Sequence, residues 1–162
     1  MTKPDYAYVT IIAAPPEKVW EGLTSPEFTE QYWHKTRVKS DFKPGSAIEF
    51  LTGDGTVGVR GEILRADYPD ILSYTWSFVS DPGLKNDPPS RVTFKLERLE
   101  VGTRLTVIHD QLLEGSTTLE AVTHGWPFVI CGLKTLLETD TAVDFSAADA
   151  GVSRNSSAAA TV

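Results

Sequence analysis

Apolar and polar positions alternate with a period of two along most of this chain, and in a few places the period changes to that of a helix. From Tyr6 to Ile12, the residues Tyr6, Tyr8, Thr10 and Ile12 oppose Ala7, Val9 and Ile11, and the β-branched content predicts an opening strand. Ala13-Ala14-Pro15-Pro16 ends it. Glu17 then follows prolines of the kind tolerated in a first helical turn, and Val19, Trp20 and Leu23 form the apolar stripe of a short helix. Ser25-Pro26-Glu27 repeats the start signal for a second short helix, with Phe28, Tyr32 and Trp33 as its buried face.

From Lys39 onward the punctuation becomes a turn every eight to twelve residues or so, the spacing of an antiparallel meander. Strands are predicted near Arg37 to Phe42, Ser46 to Leu51, Val57 to Ala66, Ile71 to Val79, Arg91 to Glu97 and Arg104 to Gln111. Three alternations identify the buried face: Leu72, Tyr74, Trp76 and Phe78; Val92, Phe94 and Leu96; Leu105, Val107 and His109. Asp81 to Ser90 is too rich in proline for a ladder strand and reads as an exposed loop, either a lid or a plain connection. Gly125-Trp126-Pro127 then opens a long amphipathic helix whose ladder runs through Ile130, Leu133 and Leu137. The helix is expected to start at Trp126. Past Leu137 the period is lost, so a single domain over 1–140 is followed by a frayed tail over 141–162.

Composition narrows the class without changing this outline. At 162 residues, with 41% hydrophobic and 23% charged side chains, the chain suits one globular core. The longest apolar run is far below the roughly 20 residues of a membrane span, and the N-terminus lacks the apolar stretch of a secretory signal. A cytoplasmic protein is therefore expected, and the lone Cys131 fits a reducing compartment. A formal net charge of −7 with scattered Lys and Arg argues against nucleic acid as a partner.

Strand, two short helices, six antiparallel strands and a long C-terminal helix is the order of the α+β helix-grip fold. In that fold a curved sheet of about six or seven strands wraps the last helix. Ala13-Ala14-Pro15-Pro16-Glu17-Lys18-Val19-Trp20 resembles the opening signature of the SRPBCC (START-like, birch-pollen-allergen-like) superfamily, and Leu23-Thr24-Ser25-Pro26 continues it. Gly61-Glu62-Ile63-Leu64, Asp70-Ile71-Leu72-Ser73-Tyr74-Thr75-Trp76, Gly102-Thr103-Arg104-Leu105-Thr106-Val107-Ile108-His109 and Gly125-Trp126 resemble its branch related to the C-terminal domain of the activator of the heat-shock-protein-90 ATPase. The resemblance spans about residues 6 to 140. It implies the fold, while the functions it implies range over lipid carriers, hormone receptors, cyclases and chaperone cofactors. Two features depart from the pattern: the proline-rich loop is longer, and Pro127 directly follows Trp126.

His109 is the residue most suited to chemistry, because its phase with Leu105 and Val107 points the imidazole toward the helix. It is either a pocket acid, base or ligand anchor, or a buried histidine hydrogen-bonded to a helix side chain or water, which is the commoner outcome. Tyr74 is the second polar candidate. No nucleophile with a matching base is visible, and His34, His109 and His124 are too scattered for a zinc site. Arg60 and Glu62 share a strand face and read as a solvated pair, unless a bulge reverses the phase and makes them charged anchors. Gly53-Asp54-Gly55 reads as a hairpin turn, Cys131 as a small helix residue, and Trp20 and Phe28 as packing.

The aromatic residues carry the expectation of binding. Trp33, Tyr74, Trp76, Phe94, Trp126 and Phe128 are expected to converge between sheet and helix with His109, as pocket lining or as core, with Trp126 near the rim. The first function expected is binding of a small apolar or aromatic ligand, with no cofactor and no metal. The alternatives are a cofactor-independent cyclase, hydratase or hydrolase using His109 and Tyr74, and a chaperone-associated or regulatory module. A second copy of the chain is a further partner, and a chaperone ranks below these.

Overall fold

The computed structural model describes residues 5–145. Its first strand, β1 (Tyr6–Ile12), pairs with the last, β7 (Gly102–Asp110), so that Tyr6 lies opposite His109 and Ile12 opposite Thr103. Between them run β2 (Arg37–Ser40), β3 (Ala47–Leu51), β4 (Val57–Asp67), β5 (Ile71–Phe78) and β6 (Ser90–Leu99). The sheet has seven strands in the order β1-β7-β6-β5-β4-β3-β2, and all neighbours are antiparallel. Helices α1 (Pro16–Thr24) and α2 (Pro26–Tyr32) fill the connection from β1 to β2, and α3 (Thr117–Thr139) follows β7. This is the helix-grip fold that the pattern predicts.

The sheet bends where its ladders break. Register shifts between Phe50 and Leu51 on β3 and between Ile63 and Arg65 on β4 add residues to one strand of each pair, which increases local twist. Leu64 is the extra residue on β4 and is exposed. Because that bulge falls after Glu62, it does not reverse the phase of Arg60 and Glu62. Both stay exposed, and Arg60 pairs with Glu49 of the adjacent strand at 2.9 Å.

The last helix begins earlier than its sequence suggests. Ser116 caps it by accepting a hydrogen bond from the Leu119 amide at 3.1 Å, and Pro127 lies inside the helix. Proline is tolerated in a first turn, so Pro127 reads as a start signal. Here it instead removes one amide donor, leaving the carbonyl of the exposed Thr123 without its usual partner four residues on. The turns before it bury Thr118, Ala121, Val122 and Gly125.

Both ends of α3 are tied down. Near its C-terminus, Lys134 donates to the Ile11 carbonyl at 2.8 Å, and the Glu138 carboxylate accepts from the Ala13 amide at 2.7 Å. Gly22 of α1 meets α3 where a β-carbon would lie 2.7 Å from a Leu133 methyl, so a larger residue there must displace that leucine side chain. Trp20 and Phe28 are half-buried at the rim of the core: Trp20 packs edge-on against Tyr68, and Phe28 lies under the Lys18 ammonium. The expected tail lies outside the described residues from 146 onward, and 141–145 form neither helix nor strand.

Candidate ligand site

Alternation on three adjacent strands aims their large residues at one point on α3. β5 supplies Tyr74 and Trp76, β6 supplies Phe94 and Ser90, and β7 supplies His109; register places Tyr74 opposite Val92 and Val92 opposite His109. Trp126 comes down from the middle of α3, and Trp33 enters from the C-terminal end of α2. Each of these aromatic and histidine side chains is at least 97% buried. Trp126 packs on Trp33, Trp76 and Phe94 with ring centroids 5.5, 5.6 and 5.7 Å away, and Trp76 meets the His109 ring at 5.7 Å.

Six of the seven expected site residues therefore meet. Phe128 does not: it is half-buried and packs edge-on against Phe145 at 5.5 Å. Two helical positions rotate it about 200° from Trp126, onto another face of α3. Trp126 itself is fully buried rather than at a rim, because the helix starts at Thr117.

A directed hydrogen-bond chain runs through the cluster. The indole of Trp126 can only donate, and its Nε1–H points to Nδ1 of His109 at 3.0 Å. Nδ1 is therefore the unprotonated nitrogen and Nε2 carries the proton, which it donates to Ser90 Oγ at 2.7 Å. Ser90 in turn donates to the Trp76 carbonyl at 3.4 Å. Burial lowers the His109 pKa to about 3, against a smaller opposing pull from Asp110. Burial likewise raises Tyr74 well above the usual phenol value, with Tyr32 adding to the effect. At neutral pH one ring is held uncharged and the other protonated, a poor state for proton exchange. Trp76 differs from Trp126, since its buried Nε1–H has no acceptor among the described residues.

The proline-rich segment between β5 and β6 is tied to the first turn of α3. It is not simply exposed: Leu84 is 1% accessible and belongs to the same core as the rings. The Asp87 carboxylate accepts from the Thr118 amide at 2.8 Å and from the Thr117 hydroxyl at 2.9 Å, so the loop acts as a second cap on α3. Burial pushes the Asp87 pKa up, but the hydrogen bonds from Thr118 and Thr117 together outweigh it and hold the carboxyl below its ordinary value. Sequence reading misses Leu84, Asp87, Ser90 and Phe50. Phe50 packs on Trp33 at 4.6 Å and could have been found from its alternation with Ile48.

Open grooves among the described residues lie elsewhere. One of about 400 Å³ is lined by Arg37, Lys39 and Leu51 at the β2–β3 edge, and one of about 310 Å³ by Pro15, Arg98 and Val101 beside α1. Neither includes a residue of the ring cluster. Among the described residues no group of His, Cys, Asp and Glu could hold a metal ion, and no helix is long and apolar enough to cross a membrane.

Residues 13–138 match the family model described as Activator of Hsp90 ATPase homolog 1-like protein. The chain belongs to that family. Within it, the ring cluster, the His109 chain and the β5–β6 loop all fall inside the matched segment. The fold is also that of protein MLL2253 from Mesorhizobium loti, at 28% identity and TM-score 0.69, covering 83% of this chain and 96% of that one. The Aha1 dimer from Colwellia psychrerythraea is similar at 18% identity and TM-score 0.68, covering 84% and 97%. DynU16, from the dynemicin biosynthetic locus, is similar at 23% identity and TM-score 0.69, covering 85% of this chain and 48% of that one. No curated protein matches. The match agrees with the Hsp90-activator branch that the sequence resembles, and the neighbours fit the START-like fold.

Proposed function

We propose that this Hsp90-activator-homologue-like protein binds a small, largely apolar ligand between the sheet and α3, without a cofactor. The observation that carries the reading is the convergence of Trp33, Tyr74, Trp76, Phe94 and Trp126 in one core, which also takes in Leu84 from a loop fixed to α3 by a few polar contacts. In the closed state the rings touch one another, so the ligand gains its place by displacing Leu84 and the loop that carries it. Such a site offers aromatic faces and edges with few polar groups, the usual make-up of a small-molecule pocket. A relative from a biosynthetic locus supports the same reading.

Titration with naphthalene-sized probes, followed by tryptophan emission, tests this. Saturable quenching is expected, with Phe128→Ala leaving the affinity within twofold of the wild type because that ring lies on another face of α3. The absence of a saturable response from every probe refutes the reading. The close ring contacts favour a second reading, a chaperone-associated module, which the family description also supports. Stoichiometric recovery of the chaperone from a pull-down would establish it. The dimer named for the Colwellia relative makes self-association part of that second reading, and sedimentation velocity distinguishes it from a monomer.

A further inference from the structure

The polar atoms of the ring cluster are unevenly satisfied. The Trp126 indole donates to His109, His109 donates to Ser90, and Ser90 donates to the Trp76 carbonyl. Trp76 is 1% exposed, and its Nε1–H has no acceptor among the described residues. An indole nitrogen has no lone pair to offer and can only donate. Buried polar groups are nearly always paired, and a donor left without a partner carries most of its desolvation penalty. A partner outside the chain removes that penalty.

The same surroundings restrict what the partner can be. The rings that meet Trp76 are Trp33, Phe50, Tyr74, Phe78, Trp126 and the uncharged His109. The charged pair on the neighbouring strands, Arg91 with Asp110, is satisfied within itself. A carboxylate, phosphate or ammonium entering this cluster loses its hydration with no counter-charge to meet it. An uncharged oxygen on an aromatic frame loses far less and gains the open Nε1–H of Trp76.

We propose that the ligand of this site is an uncharged aromatic molecule bearing a carbonyl or ether oxygen, and that this oxygen accepts from Nε1–H of Trp76. The inference rests on the ligand-binding reading above and adds the ligand's chemistry to it. Trp76 is then the specificity-determining residue, while the other rings supply affinity without discriminating oxygen from carbon.

Three probes of matched size separate the terms: 2-acetylnaphthalene, 2-ethylnaphthalene and 2-naphthoate. Binding is read by tryptophan emission and by the indole N–H resonances of the four tryptophans, assigned from single Trp→Phe variants. The ketone is expected to bind about tenfold tighter than the hydrocarbon, the equivalent of one satisfied buried donor. Its binding shifts the Trp76 N–H downfield, and the hydrocarbon does not. The carboxylate is expected to bind at least tenfold more weakly than the hydrocarbon. Trp76→Phe abolishes the ketone's advantage, read as the ratio of the ketone and hydrocarbon Kd values within that variant. Should that variant fail to fold, the wild-type indole shift and the ketone-to-hydrocarbon ratio carry the test alone. Equal affinities, an unmoved Trp76 resonance, or a ketone advantage that survives Trp76→Phe overturns the inference while the ligand-binding reading stands. If neither neutral probe binds, that reading fails and the inference falls with it.

Discussion

His109 makes the stability of this protein depend on pH in a window where few other groups act. The residue has no exposed surface, and burial lowers its pKa from 6.5 to about 3. Native protein therefore stays unprotonated at His109 down to pH 4, while the unfolded chain takes up a proton as pH falls through 6.5. Whenever the unfolded state binds more protons, stability falls with falling pH. The contribution is complete above 6.5 and is lost progressively toward 3. Each pH unit in which one proton separates the states is worth about 1.4 kcal/mol. Allowing for partial protonation near 6.5, the step from pH 7 to pH 5 costs about 2 kcal/mol.

The carboxylates held low in the native state act in a lower range. Asp87, Asp110 and Glu138 have ordinary values of 3.8, 3.8 and 4.5, so their losses fall chiefly below pH 5. His109→Gln isolates the histidine, because a glutamine amide can accept from Trp126 and donate to Ser90 without titrating. Urea melts at pH 7, 6 and 5 should show the wild type losing about 2 kcal/mol more than this variant, whatever the variant's starting stability. Equal losses in the two proteins would refute the argument, as would a wild-type His109 ring resonance that titrates above pH 5. The second measurement needs no variant and so holds even if His109→Gln does not fold.

Other consequences of the geometry are as direct. Trp126→Phe keeps most of the buried volume but leaves His109 Nδ1 without its donor, and a thermal melt should show a loss of about 1–3 kcal/mol. Asp87→Ala removes the acceptor for Thr117 and Thr118 and should cost about 1 kcal/mol. Amide exchange should quicken across residues 82–89 while β6 and β7 keep their protection; unchanged exchange in the loop rules out the latch. Gly61→Ala places a β-carbon 1.8 Å from the Thr75 carbonyl oxygen, so β4 and β5 must part. Denaturant unfolding should show a loss above about 3 kcal/mol, or no folded protein.

The strands were legible because each buries one face and wets the other. Tyr74, Trp76, Phe94 and His109 could be assigned inward from period two alone, and the structure puts each there. The resemblance added the topology, since no local signal tells that β1 pairs with β7 across most of the chain. Contacts made at a distance left no trace. Nothing in Asp81 to Ser90 marks Leu84 as a core residue or Asp87 as a cap, because the partners of Asp87, Thr117 and Thr118, lie about thirty residues on. Phe128 is a different kind of miss, since helical geometry alone already separates it from Trp126.

The start of α3 is the misreading with the largest consequence for the site. Between Thr117 and His124 the polar residues Thr117, Thr118, Thr123 and His124 interrupt the apolar stripe, and Pro127 then supplies a strong but misplaced start signal. A helix beginning at Trp126 would leave that indole at the end of the grip, beside solvent and without a fixed partner. A helix beginning at Thr117 carries it to the centre of the sheet, where β7 presents His109 and β5 presents Trp76. Two indoles then share one buried space, but the single histidine acceptor satisfies only Trp126. The earlier start of the helix therefore sets Trp126 on His109, and the ligand oxygen proposed above falls to Trp76, whose Nε1–H has no acceptor among the described residues.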